Sequence, residues 1–253
     1  APLFSKYRVA KYAGQWNGYP GEPISVRLQR SLLKSKWWNS PVTVYGNWPN
    51  QPEHVKPFFT SILKDDQMAL AKKSSADCHM HNPLRILFVG RLSSSKNVDI
   101  LIDALEILQD DGFNFKCRII GDGPEFYNLV KKVEEYKMTS VINILGAIPF
   151  EDVLSHYTWG DVLVLVSKTE GWPKAITEAM AFGLVVIGSK TGLIPQMLSD
   201  ERGIVLCPVT SHGLAKRLED LMSSTQLYTN MSQKAAAWSQ NYSLDDLGKA
   251  IRE

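Results

Sequence analysis

From Leu84 to Cys207 one pattern recurs, and it constrains the fold more than any other feature of the chain. Short runs rich in Val, Ile and Leu occur at Leu84–Gly90, Phe115–Gly121, Val141–Gly146, Asp161–Ser167, Leu184–Ser189 and Gly203–Cys207. Most end in Gly or Ser, and helical patterns separate them, as at 97–110, where Val98, Leu101, Ile102, Leu105 and Leu108 fall on one stripe. Near-continuous aliphatic strands alternating with helices are what a parallel sheet covered on both faces requires. The crossovers are then right-handed, and the expected fold is a doubly wound α/β domain over residues 84–240.

The first 83 residues read differently. Strands are expected at Tyr7–Tyr12 and Val42–Tyr45, flanking a helix near Ser25–Trp38, and that single βαβ unit is too small to be a domain. Trp16, Trp37, Trp38 and Trp48 lie in this segment, much aromatic surface for so few core partners. It is therefore read as a partial N-terminal α/β segment, part of a larger domain. The polar stretches Asn47–Pro57 and Lys72–Pro83 are read as connections. After Ser211 the chain is mostly helical, and a break at Asn241–Ser243 starts a closing helix over 241–253.

Composition narrows the function classes. With 44% apolar and 21% charged residues the chain is an ordinary globular protein rather than a disordered one. No apolar run approaches the ~18 residues of a membrane span, and nothing after Ala1 reads as a signal peptide. Cys78, Cys117 and Cys207 form neither a disulfide framework nor a zinc motif, so a reducing cytoplasm is expected. Residues 1–80 carry 11 Lys/Arg against 5 Asp/Glu. A basic segment can favour nucleic acid, anionic lipid or phosphorylated ligands, but these charges are scattered and read first as a solvated face; no nucleic-acid partner is expected, and peripheral contact with the inner face of a membrane through this segment is the remaining option. Cys78-His79-Met80-His81 has the residue types of a soft-metal site but lies in a polar linker. His156 and His212 read as helix-surface and loop-surface residues, and Tyr157 and Trp159 as packing groups.

In open parallel sheets ligands bind beyond the carboxyl ends of the strands, so the loops there carry the candidates. Gly90-Arg-Leu-Ser-Ser-Ser-Lys96 sets Arg91 and Lys96 around three hydroxyls at a helix start, which suits a diphosphate. Gly121-Asp-Gly-Pro-Glu125 lacks the third glycine of the dinucleotide fingerprint and reads as a tight turn. Glu170-Gly-Trp-Pro-Lys-Ala-Ile-Thr-Glu178 places one carboxylate on a loop and a second inside a helix starting at Pro173, with the amides of Gly171, Trp172, Lys174 and Ala175 free to face an anion.

Taken in order, Phe88-Val-Gly-Arg-Leu with Lys96, Gly121–Glu125, Leu145-Gly-Ala-Ile-Pro149 and Ser167–Gly183 resemble the retaining glycosyltransferases of group 1, family 4. The resemblance is strong over 84–207 and faint before Leu84, where Val42–Asn47 is similar to the last strand of the family's acceptor domain. It implies the GT-B arrangement of two Rossmann-like domains across a cleft, this chain supplying the donor-binding one. By motif position, Arg91 and Lys96 neutralise the donor diphosphate and Glu178 accepts hydrogen bonds from the ribose. Glu170, the residue with a catalytic role, and the backbone of Gly171, Trp172, Pro173, Lys174 and Ala175 hold the sugar and its phosphate. Ala147 and Ile148 offer main-chain groups to the base.

The activity so implied is transfer of a sugar from a UDP- or GDP-linked donor, with retention and with no cofactor or metal. The absence of an Asp-x-Asp motif agrees with the last point. The acceptor is a lipid, a polysaccharide or a small molecule. The family's glycine-rich first loop and early histidine have no counterpart in residues 1–80, so the chain is expected to be a piece of a longer enzyme or to be completed by a partner. A GT-B nucleotide-sugar epimerase and a non-catalytic nucleotide-sugar-binding module are the alternatives.

Overall fold

A computed structural model describes residues 8–38, 40–61 and 63–252, and its chain begins with a small parallel unit. It comprises β1 (Ala10–Tyr12), α1 (Ile24–Lys34), β2 (Val42–Tyr45) and β3 (Val55–Phe58), the strands lying in the order β1-β2-β3, and α2 (Asp65–Ala76) follows it, its buried Met68 and Ala71 joining the larger of the two cores. The expected βαβ unit is present, although Tyr7, where the first strand was expected to begin, lies outside the described residues. Three expectations change. Helix α1 stops at Lys34, where the Ser35 hydroxyl turns back onto the Leu32 carbonyl at 2.7 Å. The stretch expected to connect at Asn47–Pro57 contains most of β3, whose Pro57 is tolerated because the strand forms a sheet edge. The Lys72–Pro83 connection begins inside α2, whose Gln67 side chain accepts from the Lys64 amide at 3.0 Å.

The second sheet contains β4 (Leu84–Val89), β5 (Phe115–Ile120), β6 (Ile142–Gly146), β7 (Val162–Leu165), β8 (Val185–Ser189) and β9 (Ile204–Leu206). Its order is β6-β5-β4-β7-β8-β9, parallel throughout, so strand order reverses between β4 and β7. Helices α3 (Val98–Asp110), α4 (Phe126–Glu135), α5 (Phe150–Trp159), α6 (Lys174–Ala181), α7 (Ile194–Met197), α8 (Ser211–Met222), α9 (Thr225–Ser239) and α10 (Leu244–Arg252) complete the chain. The stripe read on α3 is buried as expected, and all of β7 and β8 is buried, which explains their unbroken aliphatic composition. His212 lies in the first turn of α8 rather than in a loop.

Two cores result. The larger runs from Leu63 to Ala235, and the smaller consists of Tyr12, Trp16, Leu33, Val42, Val44 and Val55. Among the described residues no helix is long and apolar enough to cross a membrane.

Candidate functional site

The reversal between β4 and β7 opens a crevice at their carboxyl ends, where a doubly wound sheet binds its ligand. Two loops wall it. The loop after β4 folds back onto β5, the Leu92 amide donating to the Asp122 carbonyl at 2.9 Å and the Glu125 amide to the Leu92 carbonyl at 3.0 Å. Here the backbones touch. A Cβ at Gly121 (φ +140°) would lie 1.8 Å from the Gly90 carbonyl oxygen, so this position requires glycine. The Gly121–Glu125 turn therefore acts as a scaffold for the Arg91 loop.

The loop after β7 is tied to the same wall. Lys168 donates its amide to the Ser95 carbonyl at 2.7 Å, and the buried Asn97 side chain donates to the Val166 carbonyl at 2.8 Å. Their union brings Lys96 and Glu170 together, Nζ to Oε1 at 2.5 Å, with side chains 21% and 10% exposed. Arg91 is exposed at the start of the first loop, and its side chain forms no hydrogen bond or ion pair with any described residue. Ala147 and Ile148, exposed and half-buried, join β6 to α5 at the same end of the sheet.

Helix α6 begins at the crevice. Pro173 is its N-cap rather than its first helical residue, Lys174 is exposed in the first turn, and no acidic residue occupies that turn. First-turn amides lack intrahelical acceptors and carry the positive end of the helix dipole, so this end attracts an anion. Gly171 is required for a different reason: a Cβ there would lie 2.2 Å from the Ala13 carbonyl oxygen. The loop after β1 thus faces the loop after β7 across a cleft of about 420 Å³ lined by Lys11–Gln15, Tyr19, Gln29 and Thr169–Gly171.

Trp172 turns away from that cleft. Its ring meets Tyr45 and Phe59 from the N-terminal segment at 5.9 and 6.3 Å, and Trp238 and Tyr242 from the C-terminal helices at 6.5 and 5.4 Å. Its indole nitrogen is buried without a partner. Ala175 is half-buried in the same helix turn.

Glu178 is buried at 6% exposure, one turn below Lys174. One carboxylate oxygen accepts from the Tyr157 hydroxyl at 2.8 Å, while the other is buried with no hydrogen-bond partner. Burial is the main cause that pushes its pKa from the ordinary value near 4.5 up to about 7, against the Tyr157 hydrogen bond and Lys174. A small cavity lined by Thr60, Ser61, Lys174, Ser239 and Tyr242 lies beside it. The structure thus brings Lys96 and Glu170 into contact, sets Arg91 at the mouth of the same crevice, and holds Glu178 buried one turn into α6, beside a small cavity that Lys174 of the first turn also lines.

Sequence reasoning read Tyr157 as packing, and it is fully buried, but its hydroxyl also holds Glu178. The facing backbone at Ala13 and Gly14 was missed as well. Only a contact between distant loops reveals it, and no local pattern signals that. The Cys78–His81 run is dispersed. Cys78 Sγ bonds the Gly183 carbonyl, His81 binds Asp161 at 2.7 Å, and no metal-holding group of three His, Cys, Asp or Glu occurs among the described residues.

The glycosyl transferases group 1 family model matches residues 72–238. The colanic acid biosynthesis glycosyltransferase WcaL of Escherichia coli, a putative assignment in its own name, is 33% identical over 143 residues, 54% of this chain and 35% of WcaL. The amylovoran biosynthesis glycosyltransferase AmsK of Erwinia amylovora is 34% identical over 125 residues, 47% of this chain and 31% of AmsK. This chain thus covers about a third of the length of each. Among solved structures, Anabaena HepE in complex with UDP and glucose superposes with a TM-score of 0.75 at 17% identity, over 96% of this chain and 70% of HepE. TarM superposes with a TM-score of 0.74 at 14% identity, over 97% and 49%. Both structures share the fold. With a family match that runs from the end of α2 through α9 and takes in every loop of the crevice, this chain belongs to the glycosyl transferases of group 1.

Proposed function

We propose that the crevice between β4 and β7 binds a nucleoside-diphosphate sugar and that the protein transfers the sugar to an acceptor with retention of configuration and without a metal. The observation that carries this reading is the convergence of Lys96, Glu170, the free Arg91 and the α6 N-terminus at one switch point. Arg91, Lys96 and the α6 amides neutralise the diphosphate and the charge that develops on it as the sugar leaves, the service a metal gives elsewhere. Glu170, already tied to Lys96, positions the sugar. The unpaired oxygen of Glu178 accepts from a ribose hydroxyl, and Ala147 and Ile148 present main-chain groups to the base. The residues 84–240 act as the donor-binding unit and 1–83 as part of the acceptor side. UDP is the first nucleotide to try, because the HepE structure contains it.

The test is incubation with UDP- and GDP-hexoses in the presence of a chelator, following nucleotide release and the anomer of the released or transferred sugar by NMR. Retained configuration that survives chelation supports the proposal. An inverted product, or activity only with added metal, contradicts it, while an epimerised free sugar identifies an epimerase instead.

A further inference from the structure

On β4 and β5 of the same sheet three cations share one face, and the nearest carboxylate in the hydrogen-bond network, Asp161, accepts from the Arg85 backbone amide at 2.8 Å rather than from a guanidinium. Arg85 is the second residue of β4, and its register partner on β5 is Lys116; Arg118 follows two residues later and so points to the same side. Like charges directly opposite one another destabilise a sheet, yet among the described residues no carboxylate forms an ion pair with any of the three. Helix α5 covers only part of this face, leaving Lys116 exposed and Arg118 half-buried. Burial, and after it the charge of Arg85, hold the Arg118 guanidinium below its ordinary pKa range.

The two guanidiniums are nonetheless held in place. Arg118 stacks 3.9 Å above the Trp159 ring and donates to His156 Nδ1 at 3.1 Å. Arg85 lies 5.7 Å from the same ring and donates to the Trp159 carbonyl at 3.3 Å. Burial and Arg118 both lower the His156 pKa, outweighing Asp152, so His156 favours the neutral form that accepts this bond. Each guanidinium keeps further N–H donors free, since an arginine has five.

We infer that Arg85, Lys116 and Arg118, the two arginines backed by Trp159, form a second anion site that takes a phosphate-class anion of two or more charges, a phosphomonoester or pyrophosphate, independently of the donor crevice. Three positive groups on one face, two of them beside the same ring, match a ligand with two or more charges and at least three acceptor oxygens, whereas a carboxylate saturates a single guanidinium. The cluster is too short for a nucleic-acid backbone, which needs a basic stripe.

The experiment is calorimetric titration with inorganic pyrophosphate of the Arg91→Ala/Lys96→Ala variant, in which the proposed donor site is disabled. Saturable binding is expected there, and adding Arg118→Gln should weaken it about tenfold or more, the value of one charged hydrogen-bond set. Lys116→Gln, at an exposed position that does not threaten folding, should weaken it by a smaller factor. Pyrophosphate binding that neither substitution changes, or no binding at all, overturns the site. Co-sedimentation with phosphatidylcholine vesicles containing phosphatidic acid separates the two sources of such a ligand. Pelleting that pyrophosphate competes away points to a lipid headgroup, and pyrophosphate binding without pelleting points to a free phosphate.

Discussion

The six-stranded and three-stranded units are built from the same parallel βα grammar, but they close their cores to different degrees. In the larger unit the helices seal the central strands, and Ile86, Leu105, Val162 and Ile187 have no exposed surface. In the smaller unit α1 packs one side on Tyr12 and Trp16, while Ile24, Leu28 and Leu32 stay 67%, 64% and 49% exposed along its other side. Burial, rather than strand-forming tendency, is what differs. Apolar area removed from water contributes roughly 25 cal/mol per Å², so the larger unit holds the scaffold of the crevice and the smaller contributes a wall.

The sharpest test of that contrast is truncation in the larger core. Leu105→Ala should cost about 2–5 kcal/mol, the range for a fully buried leucine, read as a shift in the urea midpoint. Next in size is Glu178, whose raised pKa has a definite sign. A buried carboxylate with a folded pKa of about 7 leaves stability intact below the unfolded value near 4.5 and erodes it as pH rises from there through 7. Glu178→Gln should flatten that slope and raise stability above pH 7 by about 3 kcal/mol while weakening donor binding. A cost in stability instead would show that the charge is needed for folding.

Glu22 in the smaller unit gives the opposite sign. It is paired with Arg30 through two hydrogen bonds, one of 2.7 Å, and the Arg30 contact holds its pKa below the ordinary range. That pairing is complete above the unfolded pKa and is lost as pH falls through the lowered one, so Glu22→Gln should lower stability at neutral pH and flatten the acid limb of the pH profile, leaving the two proteins alike at the acid end. Trp172→Ala should cost about 2 kcal/mol, less than a fully buried tryptophan. It should also let the three-stranded unit melt separately, detectable as a second calorimetric transition, because Trp172 bridges Tyr45 and Phe59 to Trp238 and Tyr242. The smallest effect belongs to Leu28→Ser, on the exposed side of α1, expected within about 0.5 kcal/mol of the parent. A larger loss would mean that α1 buries this face.

Legibility in the sequence follows the same divide. Strands β7 and β8 and the α3 stripe were readable because complete burial forces aliphatic runs, a local signal, while β4, β5, β6 and β9 were readable as short aliphatic runs, most ending in Gly or Ser, although they are less fully buried. Strand β3 was not, since an edge strand tolerates Lys56 and Pro57 and looks like a loop. At the site, the spacing of Glu170 and Glu178 and the cations of the first loop were visible, but the Lys96–Glu170 contact depends on a sheet order that no local window encodes. The niche of Glu178 was hidden for the same reason: Tyr157 and the Thr60–Ser61 linker reach it only through the fold. Strand β5 carried a further signal, the alternation Lys116-Cys117-Arg118, which marks a face left open.

The central claim is that the β4–β7 crevice is a nucleoside-diphosphate site, and calorimetric titration with UDP and GDP tests it most directly. The account predicts saturable binding of one nucleotide, weakened about tenfold or more by Arg91→Ala/Lys96→Ala and weakened also by Glu178→Ala, with the fold intact by circular dichroism. Nucleotide binding that all of these substitutions leave unchanged would contradict it.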